Sequence, residues 1–223
     1  MSKLENNYEL IANEIKSIHE NIIDLSKDNK KITDNYMGCQ VLFSKLIYKP
    51  KYLLIGYNPG SGYYKYHKNI VESFKQMSDL EYYLNKHKLG EQTKTLFLSA
   101  GKECELKKST VKINFYPWAT DDIISFEKLM KAIPSELKRK IYENARIWNR
   151  KLIEIINPEI IICEGFKAFY EVEVLFQKKY NFSKEENSIF FKNENGLKIF
   201  GYKRNQGSIL NKDELSYKLK EIS

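Results

Sequence analysis

The chain predicts an α/β fold, a three-layer α/β/α sandwich around a mostly parallel four-stranded sheet, preceded by one amphipathic helix. Three observations carry this. Short apolar runs bounded by Pro and Gly recur along the chain, and helix-length stretches with a period of roughly 3.6 residues separate them. The strand runs are apolar without interruption, as strands buried on both faces are. Of the 223 residues, 42% are apolar and 30% charged, a balance that supports a folded core and leaves little room for long disorder.

Leu4, Tyr8, Ile11, Ile15, Ile18, Ile22 and Leu25 alternate spacings of four and three, which predicts a helix over 3–27 ended by Lys27-Asp28-Asn29-Lys30-Lys31. Residues 1–35 are therefore expected as a helical appendage and 36–223 as one α/β domain. The stripe can dock onto that domain, leaving a monomer, or pair with a second copy as a short coiled-coil dimer. Lys51 to Ile55 lies between Pro50 and Gly56 and predicts the first buried strand, ending in Gly56-Tyr57-Asn58-Pro59-Gly60. A helix is expected at about 69–88, then a second strand at Thr110 to Phe115 stopped by Pro117. Leu137, Ile141, Ala145, Trp148, Leu152 and Ile155 form the stripe of a helix over 136–156. Glu159 to Cys163 is the third strand, entered from Pro158 and left at Gly165, with a helix over 166–179 behind it. Leu197 to Tyr202 is the fourth, joined to Ser188 to Lys192 by a hairpin through Asn193-Glu194-Asn195-Gly196; a helix over 213–222 closes the chain. Strands alternating with helices imply a parallel sheet covered on both faces.

Cys39, Cys104 and Cys163 are odd in number and far apart, and His19, His67 and His87 make no ligand spacing. Neither a disulfide framework nor a metal site is expected, and no cofactor. No apolar run reaches the roughly 18 residues of a membrane span, and the N-terminus lacks the apolar stretch of a signal peptide, so no membrane partner and a cytoplasmic address are expected. The formal net charge of +8 favours a polyanionic partner. Ligands of open parallel sheets bind at the carboxyl ends of strands, here Gly56 to Gly60, Asn114 to Trp118, Gly165-Phe166 and Lys203 to Ser208.

The stretch YLLIGYNPGSGYY resembles the first motif of the uracil-DNA glycosylase superfamily, in the Gly-x-Asn-Pro-Gly form of its mismatch-specific and single-strand-selective branches. VKINFYPW is similar to the family's strand whose Asn reads a flipped base. WNRKLIEIINPEIIICEGFKAF is similar to its long helix, Pro-initiated strand and Gly-x-x-Ala turn. Order and spacing agree from about residue 36 onward. The family's closing His-Pro-Ser or Asn-Pro-Ser turn is altered: YKRNQGSIL places Asn205 at the His or Asn position, Gln206 at Pro, Gly207 at Ser and Ile209 at the side chain that wedges into the duplex.

The resemblance implies a DNA glycosylase without an iron-sulfur cluster, which three scattered cysteines cannot hold. Its partner would be DNA, single- or double-stranded, and its substrate a flipped uracil-like, damaged or modified base. Asn58 would orient water, and Asn205, Arg204 or backbone N–H groups of the 205–208 turn would meet charge on the departing base. Tyr57, Tyr63, Tyr64, Asn114 and Phe115 would hold the base, the aromatics by stacking and Asn114 through its amide. Gly60, Ser61, Arg204, Gly207, Ser208 and Ile209 would contact DNA. Ser61 as a nucleophile lacks a neighbouring base and reads as a turn residue. Two alternatives stay open: a module of the same fold that binds without catalysis, and a Rossmann-like nucleotide enzyme or sensor, for which no Gly-x-Gly-x-x-Gly motif is present.

Overall fold

A computed structural model describes residues 3–60, 71–176, 183–205 and 207–223, with the side chains of 71–73 left out. In chain order the described elements are α1 (Lys3–Asp28), α2 (Lys30–Thr33), β1 (Gly38–Gln40), β2 (Tyr52–Gly56), β3 (Val71–Ser73), α3 (Glu81–Leu84), α4 (Lys88–Ser99), α5 (Glu103–Lys108), β4 (Thr110–Asn114) and β5 (Trp118–Ala119). There follow α6 (Ile123–Ala132), α7 (Ser135–Ile156), β6 (Ile160–Cys163), α8 (Phe166–Leu175), β7 (Ser183–Lys184), β8 (Ser188–Lys192), β9 (Lys198–Tyr202), β10 (Arg204–Asn205), β11 (Ser208–Ile209) and α9 (Lys212–Ile222).

The central sheet has six strands in the order β4-β2-β6-β9-β8-β7. The first four are parallel, in register Gly56 with Asn114, Ile55 with Cys163, and Cys163 with Gly201. The expected four-stranded sheet is thus extended by β8 and β7, both antiparallel to their neighbours. The hairpin forms as its turn chemistry requires: Gly196 takes φ +85°, and the Asn193 side chain accepts from the Leu197 N–H at 2.9 Å.

Strand alternation divides the core in two. Leu53, Ile55, Val111, Ile113, Ile161, Cys163 and Ile199 face α1, α6, α7 and α8; Tyr52, Leu54, Ile160, Ile162, Phe200 and Tyr202 face α4, α5 and α9. The stripe of α1 is spent inside the chain: Tyr8, Ile11, Ala12, Ile15, Ile18, His19 and Ile22 are buried, and Trp148 of α7 donates its indole N–H to Glu14. This is the docked alternative, and it removes the surface on which a coiled-coil dimer would rest. α7 ends at Asn157, whose left-handed φ of 54° closes the helix before Pro158.

The helix expected at 69–88 does not form in its described part. There β3 pairs in parallel with β1, and the N–H groups of Met77 and Glu81 bond to the carbonyls of Ser44 and Phe43, so tertiary pairing displaces the local helical bonds. Between 71 and 87 α3 alone is helical, and α4 begins at Lys88. β1 and β5 also pair, making a small second sheet with β3. Among the described residues no helix is long and apolar enough to cross a membrane.

Candidate functional site

The tip of β2 is stitched to the segment after β4. Phe115, Tyr116 and Thr120 donate their N–H groups to the carbonyls of Gly56, Tyr57 and Pro59 at 2.8, 2.9 and 3.1 Å. This holds Asn58 in place with 8% of its surface exposed. Its amide nitrogen donates to the Pro59 carbonyl at 3.1 Å and to the Thr120 hydroxyl at 2.9 Å. A carbonyl can only accept, so the nitrogen must face it. Both amide hydrogens are then used, and Oδ1 has no hydrogen bond among the described residues, leaving it to accept from a ligand or water.

Asn114 ends the neighbouring strand, 8% exposed, and its side chain makes no hydrogen bond among the described residues. It closely approaches Gly56: a Cβ there would sit 2.1 Å from Asn114 Oδ1 and 3.6 Å from Glu164 Oε2. A side chain at position 56 would therefore push the Asn114 amide aside.

Beneath these amides lies a buried ionic cluster. Lys112 Nζ donates to Glu164 Oε2 at 2.7 Å and to the Tyr82 hydroxyl at 2.8 Å, and sits 3.3 Å from Glu81 Oε1. The Tyr82 hydroxyl donates to Glu164 Oε1. All four side chains are buried. Burial pushes the Glu81 carboxyl above the usual carboxylate range, Lys112 opposing it incompletely. Burial acts the same way on Glu164, but Lys112, Arg204 and Tyr82 together outweigh it and hold that carboxyl below its usual range. The two carboxylates are thus driven apart, Glu81 toward its neutral form and Glu164 toward its charged one.

His87 borders the cluster, with its ring against Tyr82 at 5.4 Å between centroids. Burial, then the charge of Lys112, pushes its imidazole down to about 4. Its Nδ1 accepts from the Gly90 N–H at 3.2 Å and so caps α4, which only a neutral ring can do. The folded-state value lies below the unfolded one, so this stabilisation is full above about pH 6.5 and is lost as pH falls toward about 4. Melting curves across that window should show wild type losing about 2–3 kcal/mol more than His87→Asn, whose amide caps without titrating. Parallel curves for the two proteins would contradict the assignment.

The expected site residues divide sharply. Asn58 and Asn114 are brought to adjacent strand ends. Arg204 lies alongside, its Nε 3.2 Å from the point a Cβ on Gly165 would occupy, where φ is +117°. Asn205 and Ser208 pair across the β10–β11 hairpin; Asn205 is exposed and Ser208 half-buried. Gly207 takes φ +84° at the hairpin turn and packs over the first turn of α4, a Cβ there lying 3.7 Å from the Leu89 nitrogen. Gly60 is exposed at the tip.

Two expectations are corrected, those for Phe115 and Ile209. Phe115 has no exposed surface and sits edge-on to Tyr116, so it is core and has no face to stack on a base. Tyr57 is half-buried, with Tyr116 and Phe126 edge-on at 5.1 and 5.7 Å on the α7 side of the sheet and part of its surface exposed. Ile209 is 5% exposed and belongs to the core between the sheet, α4 and α9, so it cannot act as a wedge. Ser61, Tyr63 and Tyr64 lie outside the described residues.

Sequence reasoning missed Lys112, Glu164, Glu81 and Tyr82. A signal existed for two of them: a lysine in the middle of the apolar strand TVKIN, and a glutamate directly after IIIC. Charges at positions the period assigns to the core need a partner. Among the described residues no group of three His, Cys, Asp or Glu side chains is placed to hold a metal ion. A cavity of about 660 Å³ opens at the opposite edge of the sheet, by Asn157 to Ile160 and the 193–198 turn. Its liners Glu154, Asn157, Glu159, Glu194 and Asn195 are exposed, as in a solvated groove. No protein-family model matches the chain, and no curated protein matches it.

Proposed function

We propose that this chain is a cluster-free DNA glycosylase of the uracil-DNA glycosylase type, hydrolysing the N-glycosidic bond of a flipped uracil-like, damaged or modified base. The observation that carries the reading is Asn58: a buried amide just after β2 with both hydrogens tied down and an oxygen that has no hydrogen bond among the described residues. Such an oxygen accepts from a water and aims it without competing for the proton. The parallel order β4-β2-β6-β9 supports the reading by placing Asn114 beside the Gly-Tyr-Asn-Pro-Gly tip, where it can reach the edge of a base. Arg204 and the backbone of the 204–209 hairpin supply donors and positive charge for phosphate or for the departing base.

The test is a screen. DNAs bearing uracil, thymine mismatches, hypoxanthine or hydroxymethylated cytosine are incubated with the protein, and abasic sites are cleaved with alkali. Strand cleavage at one of these bases is the result expected. Gly56→Ala should lower that rate by roughly tenfold or more, because the added Cβ forces Asn114 off its position, while the fold is retained. An unchanged rate would remove Asn114 from the site.

The burial of Phe115 and Ile209 favours a second reading, a module of this fold that binds nucleic acid without cleaving. Both readings require a phosphate-tracking surface, so DNA affinity should fall about linearly with log salt. Retained, salt-dependent binding with no product in the screen would favour the second.

A further inference from the structure

Glu164 follows β6 directly and is 1% exposed. A buried ion pair is a poor source of stability, since well-packed apolar residues of the same volume often do as well or better. The cluster of Glu81, Tyr82, Lys112 and Glu164 therefore calls for a reason beyond packing, and its position supplies one. Glu164 Oε2 is 3.6 Å from the point where a Cβ on Gly56 would lie, two residues before Asn58. Lys112 Nζ is farther from that point than the carboxylate, its backbone lying two residues earlier on β4 than Asn114. The negative end of the pair is thus the end nearer the tip of β2.

Cleaving a glycosidic bond leaves the sugar with oxocarbenium character, and Asn58 is an uncharged amide that offers such a cation no counter-charge. Building on the glycosylase reading above, we infer that Glu164 is the anion of the site: acting through space, its carboxylate stabilises the cationic sugar, and Lys112 and Tyr82 hold it in position. In the step this implies, the C–N bond breaks with its electron pair leaving on the base. The water held by Asn58 bonds through oxygen to the anomeric carbon, and the proton it gives up neutralises the base. Glu164 neither gains nor loses a proton, so its part is charge alone, and a neutral isostere removes it.

The experiment needs no knowledge of the base. Binding is measured to two oligonucleotides, one carrying a pyrrolidine abasic-site analogue, whose protonated ring nitrogen mimics the cationic sugar, and one carrying the neutral tetrahydrofuran analogue. Wild type should prefer the pyrrolidine strand by at least ~30-fold, and Glu164→Gln should cut the preference to below about threefold with tetrahydrofuran affinity unchanged. If Glu164→Gln alone does not fold, the pair Glu164→Gln and Lys112→Met removes both charges together, and melting curves establish that it is folded. A folded variant that keeps the preference overturns the role of Glu164, as does a wild type that binds both analogues equally. Wild type that binds neither strand contradicts the glycosylase reading itself, and the inference falls with it.

Discussion

Lys112→Ala should lower the unfolding free energy by about 3–5 kcal/mol, the largest stability loss expected of any single cation among the described residues. The lysine is 3% exposed and its ammonium meets Glu164, Tyr82 and Glu81 at 2.7, 2.8 and 3.3 Å. Its removal strands two carboxylates in the interior, Glu164 keeping the Tyr82 hydroxyl as a donor and Glu81 left with His87 Nε2 at 3.8 Å. An exposed pair such as Lys51 with Glu159, at a similar 2.8 Å, is worth at most about 1 kcal/mol, because water screens it and solvates either partner left behind. Urea unfolding of Lys112→Ala beside Lys51→Ala checks the contrast, and equal small losses would contradict it. The pH dependence has a definite sign. In wild type the depressed Glu164 carboxyl contributes stability that is present above the ordinary carboxylate range and is lost as pH falls through its folded value. In Lys112→Ala the main cause of that depression is gone and burial raises both carboxyls, so the gap between the two proteins should narrow as pH falls toward about 4.

Asn58→Ala should reduce single-turnover base release by roughly a hundredfold, a cost of about 3 kcal/mol, if its oxygen aims the attacking water chiefly in the transition state. Stability should fall as well, by about 1–2 kcal/mol, because the amide also ties Pro59 to Thr120. Asn58→Asp separates the two roles. A carboxylate is the better base, but it cannot donate to the Pro59 carbonyl 3.1 Å away and is repelled by it, so the tip should loosen and the melting temperature drop further than in Asn58→Ala. A rate per folded molecule that is untouched in Asn58→Ala would reduce Asn58 to a turn residue.

The parallel core was legible because each strand is an unbroken apolar run with Pro or Gly at its ends, a signal that survives without tertiary information. Tyr52 to Gly56 and Ile160 to Cys163 are the clearest cases. The segment at 69–88 misled because the N–H groups of Met77 and Glu81 go to Ser44 and Phe43, partners more than thirty residues distant that no local pattern announces. α4 was missed for a local reason: Gly90, Thr93 and Thr95 dilute its helical propensity, and its cap is a histidine. In the site, Asn58 and Asn114 were legible as polar groups at strand tips. Phe115 and Ile209 were not, since an aromatic or branched side chain at a strand end reads the same whether it faces a ligand or the core, and only packing decides. The Lys112–Glu164 pair joins strands 52 residues apart, so its logic is visible only once β4 and β6 flank β2.

The glycosylase reading is tested most directly by running the reaction in water enriched in heavy oxygen and weighing both products. Hydrolysis at the sugar predicts a free base of unchanged mass and an abasic sugar that carries the heavy oxygen at its anomeric carbon. A base that acquires the label while its strand stays intact would place the chemistry on the base instead, and no released base from any of the screened DNAs would contradict the proposed function outright.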